Sequence, residues 1–133
     1  MRPTINDVMM AIAELLARRG TCAKKQVGCV ITDANGIILS TGYNGQPRGW
    51  RHCDVMFPCE AYLDANLSCK AIHAETNALL RCPDLDKAHN IYITEAPCEK
   101  CRMLIENSGI HNLYFLNERG DIVHGYTDKA IPY

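Results

Sequence analysis

A chain of 133 residues with 47% hydrophobic residues holds about one domain's worth of material, enough for a real core but too little for a second. Lys plus Arg number 14 against 15 Asp plus Glu, a net charge of −1 with no basic run, which excludes a nucleic-acid tail and makes long polynucleotides poor partners. No stretch reaches the roughly 18 uninterrupted apolar residues of a membrane span, and Met1-Arg2-Pro3-Thr4 opens no secretory segment, so the sequence predicts a cytoplasmic protein without a membrane partner.

Thr4-Ile5-Asn6-Asp7 has the pattern of a capped helix start, and Val8, Ile12, Leu15 and Leu16 then repeat at helical spacing until Gly20. Val27 to Thr32 is rich in β-branched residues, Asp33-Ala34-Asn35-Gly36 has turn chemistry, and Ile37 to Thr41 is a second apolar run, which together predict a β-hairpin. Residues 43 to 72, rich in Gly, Pro and polar residues, read as a loop insertion. Helix resumes at His73 and runs to about Arg81. A strand follows over Asn90 to Thr94, a helix from Cys98 to Asn107 ending at Gly109, and a strand over Asn112 to Leu116. After Leu116, Arg119-Gly120-Asp121 reads as a turn in a short tail. The order α-β-β-α-β-α-β predicts one α/β domain over residues 1–133, a mixed sheet covered by helices.

Two segments carry chemistry, His73-Ala74-Glu75 and Pro97-Cys98-Glu99-Lys100-Cys101. A catalytic zinc takes three protein ligands and leaves a fourth tetrahedral position open. His73, Cys98 and Cys101 supply those three, and Glu75, two residues past the histidine, suits proton transfer rather than ligation. A Cys-x-x-Cys pair alone is as often a redox motif, and a His-x-Glu triplet alone is common. Together, in this order and each opening a helix, they form the signature of zinc deaminases. A helix N-terminus also stabilises thiolates and developing negative charge. His89, His111 and His124 fall outside the ligand spacing and read as surface or strand-end residues.

Of eight cysteines, Cys98 and Cys101 go to this metal, and Cys29 and Cys82 sit in apolar contexts as packing residues. Cys22, Cys53, Cys59 and Cys69 fall before the first strand and in the 43–72 segment. They read either as free thiols in a reducing compartment or as ligands of a second, structural zinc that stabilises the loop, with His52 able to replace one thiolate.

His73-Ala74-Glu75 with Asn77 and Ala78, Gly42-Tyr43-Asn44-Gly45 and Thr94-Glu95-Ala96-Pro97-Cys98-Glu99-Lys100-Cys101 resemble the deoxycytidylate (dCMP) deaminases of the cytidine deaminase superfamily, over about residues 8 to 116. The resemblance implies a three-layer α-β-α fold and hydrolytic deamination of dCMP to dUMP and ammonia for thymidylate synthesis. It implies a catalytic Glu75, a second zinc at Cys22, Cys53, Cys59 and Cys69, and substrate contacts from Asn44, Ala74 and Ala96, with the Ala96 carbonyl on the exocyclic amine. It places Lys24 at the 5′-phosphate, where related enzymes usually have Arg with its bidentate fork. It also associates Gly42, Tyr43, Asn44 and Gly45 with allosteric dCTP, with Mg2+, or dTTP, and implies a homo-oligomer, often a hexamer. Modified cytosine nucleotides are alternative substrates. A tRNA adenosine-type deaminase, which shares the zinc logic, and a non-catalytic nucleotide-binding module are alternative readings.

Overall fold

Thr4 starts the first helix, α1 (Ile5–Ala17), with the reciprocal cap expected of its sequence: its hydroxyl accepts from Asp7 N at 3.1 Å, and the Asp7 carboxylate accepts from Thr4 N at 3.3 Å. The structure, a computed structural model, describes residues 1–22, 25–50 and 71–127. Strands β1 (Gly28–Thr32) and β2 (Ile38–Tyr43) form the expected hairpin. At its turn the Asp33 carboxylate accepts from the backbone N–H groups of Asn35 and Ile37 at 2.8 and 2.9 Å, and Gly36 takes the left-handed φ of +83° that the reversal needs. β2 runs two residues past the expected end at Thr41, because Gly42 and Tyr43 continue the ladder opposite Cys29 and Gly28. Gly45 and Ile72 then pair in an isolated antiparallel bridge outside the sheet strands.

Helix α2 (Ala74–Arg81), strand β3 (Asn90–Ile93), helix α3 (Glu99–Ser108) and strand β4 (Asn112–Leu116) follow as the periodicity predicts. Gly109, with φ +85°, ends α3 in the left-handed conformation that releases the chain into β4. The tail departs from expectation. Beyond the turn at Gly120, Ile122–His124 forms a fifth strand, β5, antiparallel to β4. The sheet order is β2-β1-β3-β4-β5, with β3 and β4 parallel across α3 and every other pair antiparallel.

Alternation along the central strands sorts two cores. Cys29, Ile31, Ile91, Ile93 and Leu113 face Ala74 and Ala78 of α2 and Ile105 of α3. Val30 and Tyr92 face Met9, Met10 and Ala13 of α1. Both faces of β1 and β3 are therefore covered, which is why these strands read as near-continuous apolar runs, and the domain is the expected three-layer sandwich. Two glycines set the closeness of those layers. A methyl group at Gly28 would collide with Ala13 O and lie 2.7 Å from Ala17 N, both on α1. At Gly42 it would collide with Ala74 O and lie 2.7 Å from Ala78 N, both on α2.

Candidate metal centre and catalytic cavity

α2 and α3 begin on the same side of the sheet, and the residues at their starts form a group able to hold a metal ion. His73 and Cys98 occupy the N-cap positions with extended backbone, and neither spends its side chain on a capping hydrogen bond. Cys101 lies three residues into the chain beyond Cys98, on the first turn of α3, and points back to the same spot. His73 Nδ1 is 3.2 Å from Cys101 Sγ and 3.6 Å from Cys98 Sγ, and the three ligand atoms lie within 4.8 Å of one another. Among the described residues no other trio of such side chains converges in this way.

One imidazole nitrogen and two sulfurs form the borderline-soft donor set that suits zinc, and three donors leave a position open. Cys101 shows why a cation belongs there. Burial, followed by the negative charge of Glu75, pushes its thiol up to about 12, so a thiolate at neutral pH needs a neighbouring positive charge. The Thr76 hydroxyl lies 3.7 Å from the same sulfur. Glu75 is only 4% exposed, and burial lifts its carboxyl above the usual carboxylate range. The charge of Glu95 adds to that rise, while its own backbone N–H, His73 and Cys101 oppose it.

The cluster opens into a cavity of about 360 Å³, within the ordinary size range of ligand pockets. His73, Glu75 and Cys98 line it together with Asn44, Ala74 and Ala96, so three of the four expected substrate-contacting residues share one space with His73 and Cys98. Sequence reasoning did not assign Asn44 a structural task, which the structure does. Its Oδ1 accepts from Val27 N at 2.8 Å and its Nδ2 donates to Lys25 O at 2.7 Å, fixing the segment that leads into β1. Among the described residues one amide hydrogen and one lone pair have no further partner. Gly42 is a contact between β2 and α2, Tyr43 lies under the Arg19 guanidinium at 5.7 Å, and Gly45 sits against Thr21.

Cys22 is buried in the cavity wall. Lys24, His52, Cys53, Cys59 and Cys69 lie outside the described residues. Sequence reasoning passed over Lys25 and Glu95, which line the cavity and pair at 3.0 Å. A Lys seventy residues before a Glu carries no local signal; only the β1–β3 pairing brings them together. His89, His111 and His124 stand at strand ends away from the ligand trio, as expected. His89 stacks on His111 at 4.4 Å, and His124 lies between Tyr114 and Tyr126 at 4.8 and 4.3 Å.

Comparison with known proteins agrees with this geometry. Residues 3–117 match the cytidine and deoxycytidylate deaminase zinc-binding region. The deoxycytidylate deaminase of Schizosaccharomyces pombe is 35% identical over 124 residues, 86% of this chain and 37% of that protein. The deoxycytidylate deaminase of Mycobacterium phage D29 is 32% identical over 126 residues, 88% of this chain and 98% of that protein. The chain thus spans little more than a third of the fission-yeast relative and nearly all of the phage one. The dCMP deaminase of cyanophage S-TIM5, solved in complex with dCMP and dUMP, superposes with a TM-score of 0.66 at 28% identity, covering 88% of this chain and 84% of that one. No helix among the described residues is long and apolar enough to cross a membrane. Because the matched region runs from before α1 through β4 and takes in both ligand-bearing helix starts, the chain belongs to the cytidine and deoxycytidylate deaminase family.

Proposed function

We propose that this protein is a zinc-dependent deaminase that hydrolyses dCMP to dUMP and ammonia, supplying dUMP for thymidylate synthesis. The observation that carries the reading is a buried Glu75 beside a His73–Cys98–Cys101 trio at one cavity of about 360 Å³. Relatives named deoxycytidylate deaminase, and one solved with dCMP and dUMP, support the substrate.

Bound at this trio, zinc supplies Lewis acidity that brings the pKa of a coordinated water toward about 7. Glu75 takes the proton from the attacking water, gives it to N3 of the base as C4 becomes tetrahedral, and passes a proton to the departing amine, so that water and dCMP leave as dUMP and ammonia. A carboxyl that burial already inclines toward its neutral form is suited to carrying a proton in both directions. The Ala96 carbonyl accepts from the exocyclic amine, Ala74 walls the base, and the uncommitted amide hydrogen of Asn44 serves the sugar. Lys24 is assigned to the phosphate.

The reading extends to one catalytic domain over residues 1–133 whose 43–72 insertion is held by a structural zinc on Cys22, Cys53, Cys59 and Cys69. The bridge between Gly45 and Ile72 supports a loop closed at its base. Control by dCTP with Mg2+ or by dTTP through Gly42-Tyr43-Asn44-Gly45, assembly into a homo-oligomer and a cytoplasmic location complete it, supported by family membership.

The test is ammonia release from dCMP, deoxycytidine, dCTP and 5-methyl-dCMP by wild-type and Glu75→Ala protein of measured zinc content. Turnover of dCMP that disappears in the variant while the catalytic zinc stays is the expected result. Zinc-replete protein that turns over none of these would refute the reading.

A further inference from the structure

Lys25 and Glu95 stand at the boundary between two cavities. Lys25 Nζ lies 3.0 Å from Glu95 Oε1, joining the segment before β1 to the turn after β3. Both side chains line the catalytic cavity, and both also line a second space of about 750 Å³ that runs over the ends of α1, β3 and β4. Two further carboxylates, Glu14 and Glu118, border that second space. Within the catalytic cavity Lys25 is the sole Lys or Arg among the described lining residues, and it faces two carboxylates, Glu75 and Glu95.

We propose that Glu95 tunes the site's affinity for phosphate: it occupies Lys25 as a resident counter-ion that a phosphate must displace, which weakens nucleotide binding and leaves nucleoside binding untouched. The inference rests on the nucleotide reading above and assigns that site a means of easing nucleotide release. A pair whose side chains are 61% and 43% exposed contributes little in water. That is still more than a sugar hydroxyl recovers by giving Lys25 a neutral acceptor in place of a carboxylate. A phosphate monoester carries a charge of about −1.5 to −2 near neutral pH and three acceptor oxygens, so it wins the exchange. The displaced Glu95 has room to turn into the second cavity. There it meets Glu14 and Glu118, whose like charges make the displacement unfavourable and so lower nucleotide affinity further. A nucleoside finds the ion pair closed, whereas a nucleotide opens it.

Equilibrium binding of dUMP and of deoxyuridine to the zinc-loaded protein, measured by calorimetry at low and at high salt, tests this without requiring turnover. Glu95→Gln is expected to tighten dUMP by about two- to fivefold at low salt, to lose that gain at high salt, and to leave deoxyuridine unchanged. Lys25→Ala is expected to weaken dUMP and to leave deoxyuridine unchanged. Melting temperature and zinc content verify that both variants are folded. A dUMP-to-deoxyuridine affinity ratio unmoved by Glu95→Gln overturns the counter-ion role, even if dCMP is deaminated. If the ratio moves as expected and dCMP releases no ammonia, the counter-ion role stands and the proposed reaction falls. Failure of dUMP to bind the wild type overturns both.

Discussion

Gly42→Ala isolates the coupling between packing and the metal site. The added Cβ would collide with Ala74 O, lie 2.7 Å from Ala78 N and lie 3.1 Å from Ala78 Cβ. These are backbone and near-backbone atoms of α2, and no rotamer change removes them, so the helix must lift from β2. Overpacking of this kind costs about 1–3 kcal/mol. For a chain of 133 residues that is a fall in melting temperature of roughly 3–5 °C per kcal/mol. The same lift carries the His73 cap and Glu75 away from Cys98 and Cys101 on α3, so zinc affinity should fall as well. Gly28→Ala is the control, because its Cβ meets Ala13 and Ala17 of α1, a helix on the opposite face that carries none of the ligands. Calorimetric melting and zinc titration of the two variants should show comparable losses of stability and a loss of zinc affinity in Gly42→Ala alone. Equal zinc affinity in both would refute the claim that α2–β2 packing sets the position of the ligands.

Removing zinc with a chelator should lower the melting temperature reversibly, by about 2.7 kcal/mol of stability relative to protein held at a hundredfold excess of zinc over its dissociation constant; a melt unchanged by chelation would argue that the trio binds no metal in solution. Thr76→Val should weaken zinc by about tenfold and shift the sulfur-to-metal absorption of the cobalt-substituted protein, with Thr76→Ser restoring both, because the hydroxyl lies 3.7 Å from Cys101 Sγ. Tyr92 is 2% exposed, and burial, with Tyr114 adding to it, pushes its phenol up to about 12 from 10.0. The unfolded chain therefore releases this proton first, and about 2–3 kcal/mol present below pH 10 is lost as the pH rises toward 12; alkaline melts of Tyr92→Phe should show a flatter decline over that window. Arg102 donates from Nη2 to the carbonyls of Gly125 and Tyr126 at 2.7 and 3.1 Å, so Arg102→Ala should accelerate amide hydrogen exchange across residues 125–127, and unchanged exchange there would show that the tail is held by other contacts.

The His73, Cys98 and Cys101 cluster with Glu75 beside it was legible because its information is local. His73 with Glu75 and Cys98 with Cys101 lie within three residues of each other, and each pair sits at a helix start announced by the following periodicity. β1 and β3 were equally plain, since strands buried on both faces must be apolar throughout. β5 was hidden by its brevity: three half-buried residues after a turn carry no alternation to read. Asn44 entered as a substrate contact by resemblance, and its further amide bonds to Val27 and Lys25 depend on a chain path that no motif encodes. The Lys25–Glu95 pair is likewise a product of the β1–β3 register rather than of either segment.

That register also orders the folding process. The β1–β2 hairpin and the contacts of α2 with β2 and β1 join neighbours or near neighbours in the chain, and the β3-α3-β4-β5 run joins neighbours too. The strand ladders of the two halves join only where β1 pairs with β3, a long-range closure whose entropic cost is met late. His73 and Glu75 travel with the first half, Cys98 and Cys101 with the second, so a complete tetrahedral site cannot exist before the seam closes. Metal uptake during refolding should consequently follow the rate-limiting step, and zinc held by the trio would act as a clasp across the joint, slowing the opening of the halves more than it speeds their meeting.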